Sequence, residues 1–464
     1  MMRRRTLIKA ISLIALSPVT AISEPAPERW DRQYDVVVLG AGGAGLSAAL
    51  TAAGRGLSVA VYEKAESIGG DTLSSSGFFN AAGLGGVPDS PQDHAAEMLA
   101  LGRGLNDPEL VRVFTERCPE TIRWLQSLGM QFESTPYKIY GTKQYRSYRP
   151  HRPRGTGYIH VLGEACLKAG VVIQPGCTAV DLYREPETRR ILGVQIERKG
   201  VRFAVQARRG VVLATGGFGA NSRMLEHHAP AVAALEHDSA KGATGDGHRL
   251  AEQAGAELVN MKYVEIVPGG PVSIAHVIRL DIYPDRMIMV NARGERFVDE
   301  RSDRGTLGEA ILAQPGGIAY TITDNATVAS SDILDQKYLH QALHAGAVTR
   351  AKDLASLARK LSMPQSVLEK TVRQACMKGG ADGLCRPILS TPPYWAQKIE
   401  LHIHVTLGGV KINSLAQVLD ARNNPIGGLF AAGGIVGNLH GAVRLGGNGV
   451  SSAIVFGRIA GQSL

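Results

Sequence analysis

Tyr34-Asp35-Val36-Val37-Val38-Leu39-Gly40-Ala41-Gly42-Gly43-Ala44-Gly45 is the stretch whose reading decides the fold. Asp35 to Leu39 is a short apolar run of the kind required by a parallel strand buried on both faces. The glycines after it have separate physical duties. Gly40 permits a tight turn, Gly42 lets backbone N–H groups approach a pyrophosphate, and Gly45 lets a helix pack closely on the strand. A helix-like pattern follows, then a second strand-like run from Leu57 to Tyr62 ending at Glu63, 23 residues after Gly40. An acid there accepts from ribose hydroxyls and favours an unphosphorylated adenosine ribose. Strand, glycines, helix, strand and acid, in that order, predict a dinucleotide site.

Working outward, Val211-Val212-Leu213-Ala214-Thr215-Gly216-Gly217 is another buried strand ending in a tight glycine turn, preceded by four β-like runs between Val171 and Ala207. Gly428-Leu429-Phe430-Ala431-Ala432-Gly433-Gly434 repeats the theme before a final helix, about Asn448 to Ala460. Three dispersed pieces of this kind are the pattern of FAD-binding flavoproteins. The last helix would aim its N-terminal dipole at the electron-rich edge of the reduced flavin. The expected fold class is α/β: a Rossmann-like FAD-binding domain with an inserted β-meander.

The amino terminus carries Arg4-Arg5-Thr6-Leu7-Ile8-Lys9 and an apolar stretch from Ile11 to Ile22 that contains Pro18. A paired arginine before a short apolar run has the form of a twin-arginine export signal. The stretch falls short of the roughly 20 residues that span a membrane. Cleavage after Ala21 or Ser23 is expected, giving a leader of residues 1–23 and a periplasmic protein. That export route carries folded proteins, which suits a chain that takes up a bulky cofactor first. The leader holds four of the 51 basic residues (Arg3, Arg4, Arg5 and Lys9) and none of the 42 acidic ones, so the net charge falls from +9 to about +5. This excess suits an anionic small molecule or an acidic redox partner better than nucleic acid, which calls for a concentrated basic patch. Cys118, Cys166, Cys177, Cys376 and Cys385 form no C-x-x-C, hence no C-x-x-C-H haem attachment and no zinc spacing. No metal is expected. An oxidising compartment would permit a Cys376–Cys385 disulfide, although sequence does not fix the pairing.

Several motifs occur in one order: Gly69-Gly70, Ala214-Thr215-Gly216-Gly217-Phe218-Gly219-Ala220-Asn221, Gly242-Ala243-Thr244-Gly245-Asp246-Gly247, Gly294-Glu295-Arg296-Phe297-Val298-Asp299-Glu300 and Leu439-His440-Gly441-Ala442-Val443-Arg444-Leu445-Gly446-Gly447-Asn448. Together they resemble the flavoprotein subunit of the fumarate reductase and flavocytochrome c family, from about Tyr34 to the C-terminus. The resemblance implies an α+β capping domain at residues 263–396 between two parts of the FAD-binding domain, 34–262 and 397–464. It places cofactor contacts at Gly40, Gly42, Gly43, Ala44 and Gly45, at Glu63 and Lys64, and at Gly69, Gly70, Asp71, Thr72, Ser76 and Gly77. Further contacts fall at Ala214, Thr215, Gly216 and Gly217, at Asp246, at Gly433 and Gly434, and at Gly447, Asn448 and Val450. It implies a catalytic set of His404, on the family's H-x-T-x-G-G histidine, Arg444, on its R-[LI]-G-G-N arginine, and Arg304, which follows G-x-R-F-V-[ND]-E by the family's spacing.

These residue types suit the implied chemistry. Arg444 can bind a carboxylate bidentately and, with His404, stabilise charge developing on an enoate. Proton delivery from Arg304 rests on the resemblance, because a free guanidinium hardly ever deprotonates. If that role fails, Arg304 is an electrostatic clamp. The function implied is FAD-dependent reduction of the carbon–carbon double bond of an α,β-unsaturated carboxylate, with electrons from a separate periplasmic donor such as a c-type cytochrome. The alternatives are dehydrogenation of a saturated acid or ketosteroid-like substrate, and a non-catalytic flavin electron carrier.

Departures from the family refine this reading. Where fumarate reductases have Q-x-H-P-T, the chain has Glu265-Ile266-Val267-Pro268-Gly269, and Val267 cannot donate to a second carboxylate. A substrate with one carboxylate and an apolar far end would leave no buried charge unpaired there. The family's proton-feeding glutamate and arginine are not recognisable between Pro271 and Val290, where Arg279, Asp281, Asp285 and Arg286 are available substitutes. Gly434 replaces the acid that binds ribitol. No histidine occupies Asp71 to Ala82, so non-covalent FAD is expected. The Tyr- and Arg-rich segment Tyr137 to Arg154 is expected foremost as a solvated loop, and next as a substrate-access or electron-partner surface.

Overall fold

A computed structural model describes residues 26–139, 141–269, 280, 284–330, 336–378 and 385–464. The expected leader, Tyr140, Arg279 and Asp281 lie outside these residues, as does any bond between the Cys376 and Cys385 side chains. The backbone places Cys376–Lys378 antiparallel to Cys385–Pro387.

An eight-stranded sheet organises the larger part of the chain. Its centre is β1 (Arg32–Leu39), which is followed by helix α1 (Gly43–Ala53) and strand β2 (Val59–Tyr62). β1 runs parallel to β2, with Val36 opposite Val59, and on its other edge parallel to Val201–Leu213, with Val37 opposite Val211. Val36, Val37 and Val38 are wholly buried, as a strand covered on both faces demands. Val172–Gln174 extends the sheet beyond β2, and Pro425–Ala431 pairs parallel with Val201–Leu213 from the other side. The meander runs through Thr178–Arg184, Ile191–Arg198 and the first half of Val201–Leu213, with Ile191–Arg198 antiparallel to both of the others. The buried run expected at Val211–Leu213 is therefore the far end of the last meander strand, not a separate element.

Helix α1 meets the last helix, Asn448–Ser463, at backbone distance. A Cβ on Gly457 would lie 2.3 Å from the Ala44 carbonyl oxygen, and one on Gly461 would lie 2.5 Å from that of Ala48. The last helix runs three residues past the expected end because Ile459 and Ala460 are buried in the core and the last turn continues to Ser463.

A second, antiparallel sheet of five strands is built mostly from the segment expected as the cap. Tyr394–Thr406 is its spine. One edge pairs with Ala319–Asp324, and the other with Val348–Ala351 and then Val264–Gly269, while Met287–Asn291 lies outside Ala319–Asp324. Side chains alternate as the pleat requires. Ile288, Val290, Ile322 and Ala396 pack with Leu357 and Leu368, whereas Met287, Met289 and Ile399 pack with Leu307 and Ile311 of helix Arg304–Leu312. The position 396/397 falls inside the 13-residue strand Tyr394–Thr406, which runs from the cap into the site.

Candidate active site

One cavity of about 660 Å³ is lined by the glycine loop after β1, by the ends of both sheets and by the start of the last helix. Arg304, His404 and Arg444 all line it, although the first and last are 140 residues apart.

The side chain of His404 is aimed by a defect in the sheet. Val264–Gly269 pairs with the long strand so that Glu265 faces Val405 but Ile266 faces Ile403, leaving His404 as the extra residue of a β-bulge. Bulges twist a strand and redirect a side chain. Beside the bulge, the Ile403 N–H donates to the Glu236 carbonyl (2.8 Å) and the Asp238 N–H to the Ile403 carbonyl (3.0 Å). Residues 236–238 thus lie along the strand and bring the Asp238 carboxylate to both histidines. Nδ1 of His404 is 2.9 Å from each of its oxygens, and Nε2 of His402 is 3.3 Å from one. Burial would raise the Asp238 carboxyl, but His404 and His402 hold it well below the usual range. An N–H at Nδ1 donating to Asp238 leaves Nε2 of His404 as the nitrogen available to a ligand. Thr406, two residues on, accepts the Phe218 N–H through its hydroxyl (3.2 Å) and anchors the turn after Val211–Leu213.

Arg304 is the first residue of helix Arg304–Leu312, whose Asp303 cap accepts the Thr306 N–H. Arg444 lies in the loop before the last helix. The two guanidinium groups converge on one carboxylate. Glu265 Oε1 accepts from Arg304 Nη1 at 2.5 Å and from Arg444 Nη2 at 2.8 Å, and all three residues are buried. Burial would push the Glu265 carboxyl up, but Arg444 and Arg304 bring it down to about 2.

Sequence reasoning missed Glu265, Asp238 and His402. The signal for Glu265 is its charge, which stands where Q-x-H-P-T has a neutral glutamine. Val267 is fully buried and absent from the cavity wall. Asp285 and Arg286, considered as proton-feeding substitutes, are exposed on a 3-10 turn. The Tyr137–Arg154 segment is not simply a solvated loop. Arg146 is wholly buried, bound to Asp89 and Glu97 at 2.8 Å each, and Ser147–Tyr148 pairs with Phe79–Asn80. Arg149, His151 and Arg154 reach the cavity rim.

Nineteen of the expected cofactor contacts line the cavity and four stand behind its wall. Gly45 abuts the Gly40 carbonyl, Gly69 turns beside Leu73, Gly217 abuts Thr406, and Asn448 hydrogen-bonds Asn80 and lies 2.9 Å from His94. The remaining residues fit FAD. The N-termini of α1 and the last helix both reach the cavity, and their cap residues Gly42 and Gly447 have no side chain to cap with; Thr72 accepts the Gly43 N–H at 3.1 Å, and the positive dipole ends face anions. The Glu63 oxygens accept the Ala41 and Ala65 N–H groups at 2.7 and 2.8 Å and keep a lone pair each for ribose hydroxyls. Lys64 pairs with Asp246 at 2.7 Å, tying β2 to the following wall of the cavity. Asp71, whose carboxyl burial raises, accepts the Ala240 N–H.

Residues 35–450 match the FAD binding domain family. The chain is 32% identical to the probable fumarate reductase Ifc3 of Shewanella frigidimarina, over 92% of this chain and 74% of that one. The chain belongs to the fumarate reductase and flavocytochrome c flavoprotein family. It is also 33% identical to the NADH:fumarate oxidoreductase of Klebsiella pneumoniae over 98% of its length, but spans only 50% of that protein. Relatives named for other substrates include the urocanate reductase of Eggerthella lenta, 33% identical over 94% of this chain and 75% of that one. Among solved structures, the open conformation of a flavocytochrome c3 fumarate reductase matches with a TM-score of 0.75 and 32% identity, over 94% of this chain and 78% of that one. This flavoprotein therefore shares both sequence and fold with reductases of unsaturated acids.

Proposed function

We propose that the protein is a periplasmic, FAD-dependent reductase of the double bond of an α,β-unsaturated carboxylate. The observation that carries this reading is the convergence of Arg304, His404 and Arg444 on one wall of the cavity that fits FAD. FAD held by the glycine loop after β1 and the start of the last helix would supply the hydride chemistry of this reaction. Arg444 binds the carboxylate, and His404, oriented by Asp238 at Nδ1, donates to it through Nε2 when both ring nitrogens carry protons. These contacts stabilise the charge that moves onto the carboxylate as the α-carbon becomes carbanion-like. Arg304 delivers the proton to the α-carbon. The cap, closing over the site, excludes water. The names of the relatives as fumarate and urocanate reductases support the reaction class. The flavin is non-covalent, since Asp71 to Ala82 holds no histidine. Electrons come from a separate periplasmic donor such as a c-type cytochrome, since the sequence has no C-x-x-C-H.

The test is anaerobic. Holoprotein supplied with reduced viologen is offered fumarate, urocanate, acrylate, methacrylate and cinnamate-like acids, and dye oxidation is followed. Turnover with at least one monocarboxylic enoate is expected. A flavin that is reduced but reoxidised by none of them would leave an electron carrier as the reading.

A further inference from the structure

Glu265 stands behind the arginine pair. Arg304 and Arg444 line the cavity while Glu265 does not, and a single oxygen, Oε1, accepts from both guanidinium groups. A ligand in the cavity therefore meets two positive groups backed by one negative group that it does not touch. The cavity's other carboxylates among the described residues are engaged: Asp238 with His402 and His404, Asp71 with the Ala240 N–H, Asp246 with Lys64, and Glu63 with the Ala41 and Ala65 N–H groups. We propose that Glu265 is a specificity-determining residue which cancels one of the two guanidinium charges, so that the site takes a substrate with a single carboxylate and rejects a dicarboxylate. This inference rests on the enoate-reductase reading and names the substrate class of that same site.

The alternative use of a buried glutamate beside Arg304 is as a proton store. Arg444 and Arg304 hold the Glu265 carboxyl at about 2, so it carries no proton near neutral pH and its role is its charge. That charge acts in a buried site, where a unit charge several ångströms away is screened much less than in water. Each negative charge on a ligand is repelled by it. The effect grows with ligand charge, and a neutral ligand is indifferent.

The test uses oxidised holoprotein and three saturated, unreactive acyl ligands of increasing charge: butyramide, butyrate and succinate. Their binding is read from changes in the flavin absorption spectrum. In the wild type, butyrate should bind more tightly than succinate. Glu265→Gln should leave butyramide within about twofold, tighten butyrate, and tighten succinate by at least about tenfold more than butyrate. Glu265→Asp keeps the charge and should keep the wild-type order. Visible spectra of the variants check that FAD is retained. An equal shift for all three ligands, a loss of carboxylate binding in Glu265→Gln, or anions that perturb neither protein would each overturn the proposal, as would a wild type preferring succinate. None of these measurements requires turnover. Failure of every enoate to reoxidise the reduced flavin would remove the enzyme reading while the graded binding still reported on Glu265.

Discussion

Arg304 and Arg444 share a carboxylate but arrive from different parts of the fold, one opening a cap helix and the other just before the last helix. Their proposed duties differ accordingly. An interaction used only in the transition state lowers kcat, whereas a carboxylate clamp also contributes to the ground state. Arg304→Ala should therefore reduce turnover by about 10²-fold or more while leaving ligand-induced flavin spectral changes nearly intact. Arg444→Ala should lose both. Rates and spectral titrations on FAD-loaded protein distinguish them, and equal losses of binding would show that Arg304 is a clamp. The three catalytic candidates could be named from the sequence because His404 and Arg444 lie inside short motifs and Arg304 follows one at a fixed spacing. Asp238 and His402 were not, because their meeting depends on residues 236–238 lying along the strand beside the bulge at His404. No local pattern announces that contact.

Among the elements, those with strong local signals were read well: β1, its glycine turn, α1 and the last helix. Segments whose burial depends on distant partners were not. Arg146 looks like one more charge in a Tyr- and Arg-rich loop until Asp89 and Glu97, 57 and 49 residues away in sequence, enclose it. The packing of α1 against the last helix is a sharper case. Gly457 does not line the cavity, yet its missing side chain sets how closely both helix N-termini approach the cofactor site. A methyl group there would meet the Ala44 carbonyl at 2.3 Å, and backbone cannot swing aside as a side-chain end can. Gly457→Ala should cost about 1–3 kcal/mol despite its gain in helix propensity, and should weaken FAD retention. Gly54→Ala at the end of α1, where the nearest atom is 3.4 Å away, is the control and should lose neither. Thermal unfolding with and without added FAD reads both effects. Unchanged FAD retention in Gly457→Ala would show that the two helix ends position themselves independently.

For the whole molecule, the cavity wall draws on residues from Leu39 to Ala453, and the strand Tyr394–Thr406 carries the cap sheet into it. No early portion of the chain holds more than a fragment of the cofactor site. FAD can be enclosed only after the C-terminal segment has returned to pair Pro425–Ala431 with Val201–Leu213 and to set the last helix on α1. Loading thus follows folding, and a chain exported unfolded would need free FAD on the far side of the membrane. That requirement is the physical reason to connect the fold with the proposed Arg4-Arg5 leader, whose residues lie outside those described. A receptor that reads the arginine pair as such, and not merely its charge, should reject lysine at both positions. The double substitution Arg4→Lys, Arg5→Lys should therefore strand folded, yellow protein in the cytoplasm with its FAD bound and its viologen-linked activity intact. Fractionation with flavin fluorescence and activity in each fraction measures this. Periplasmic FAD-loaded protein at the unsubstituted level would overturn the export route. Cytoplasmic protein lacking flavin would instead break the proposed order, because the folded chain would then be unable to take up its cofactor before crossing.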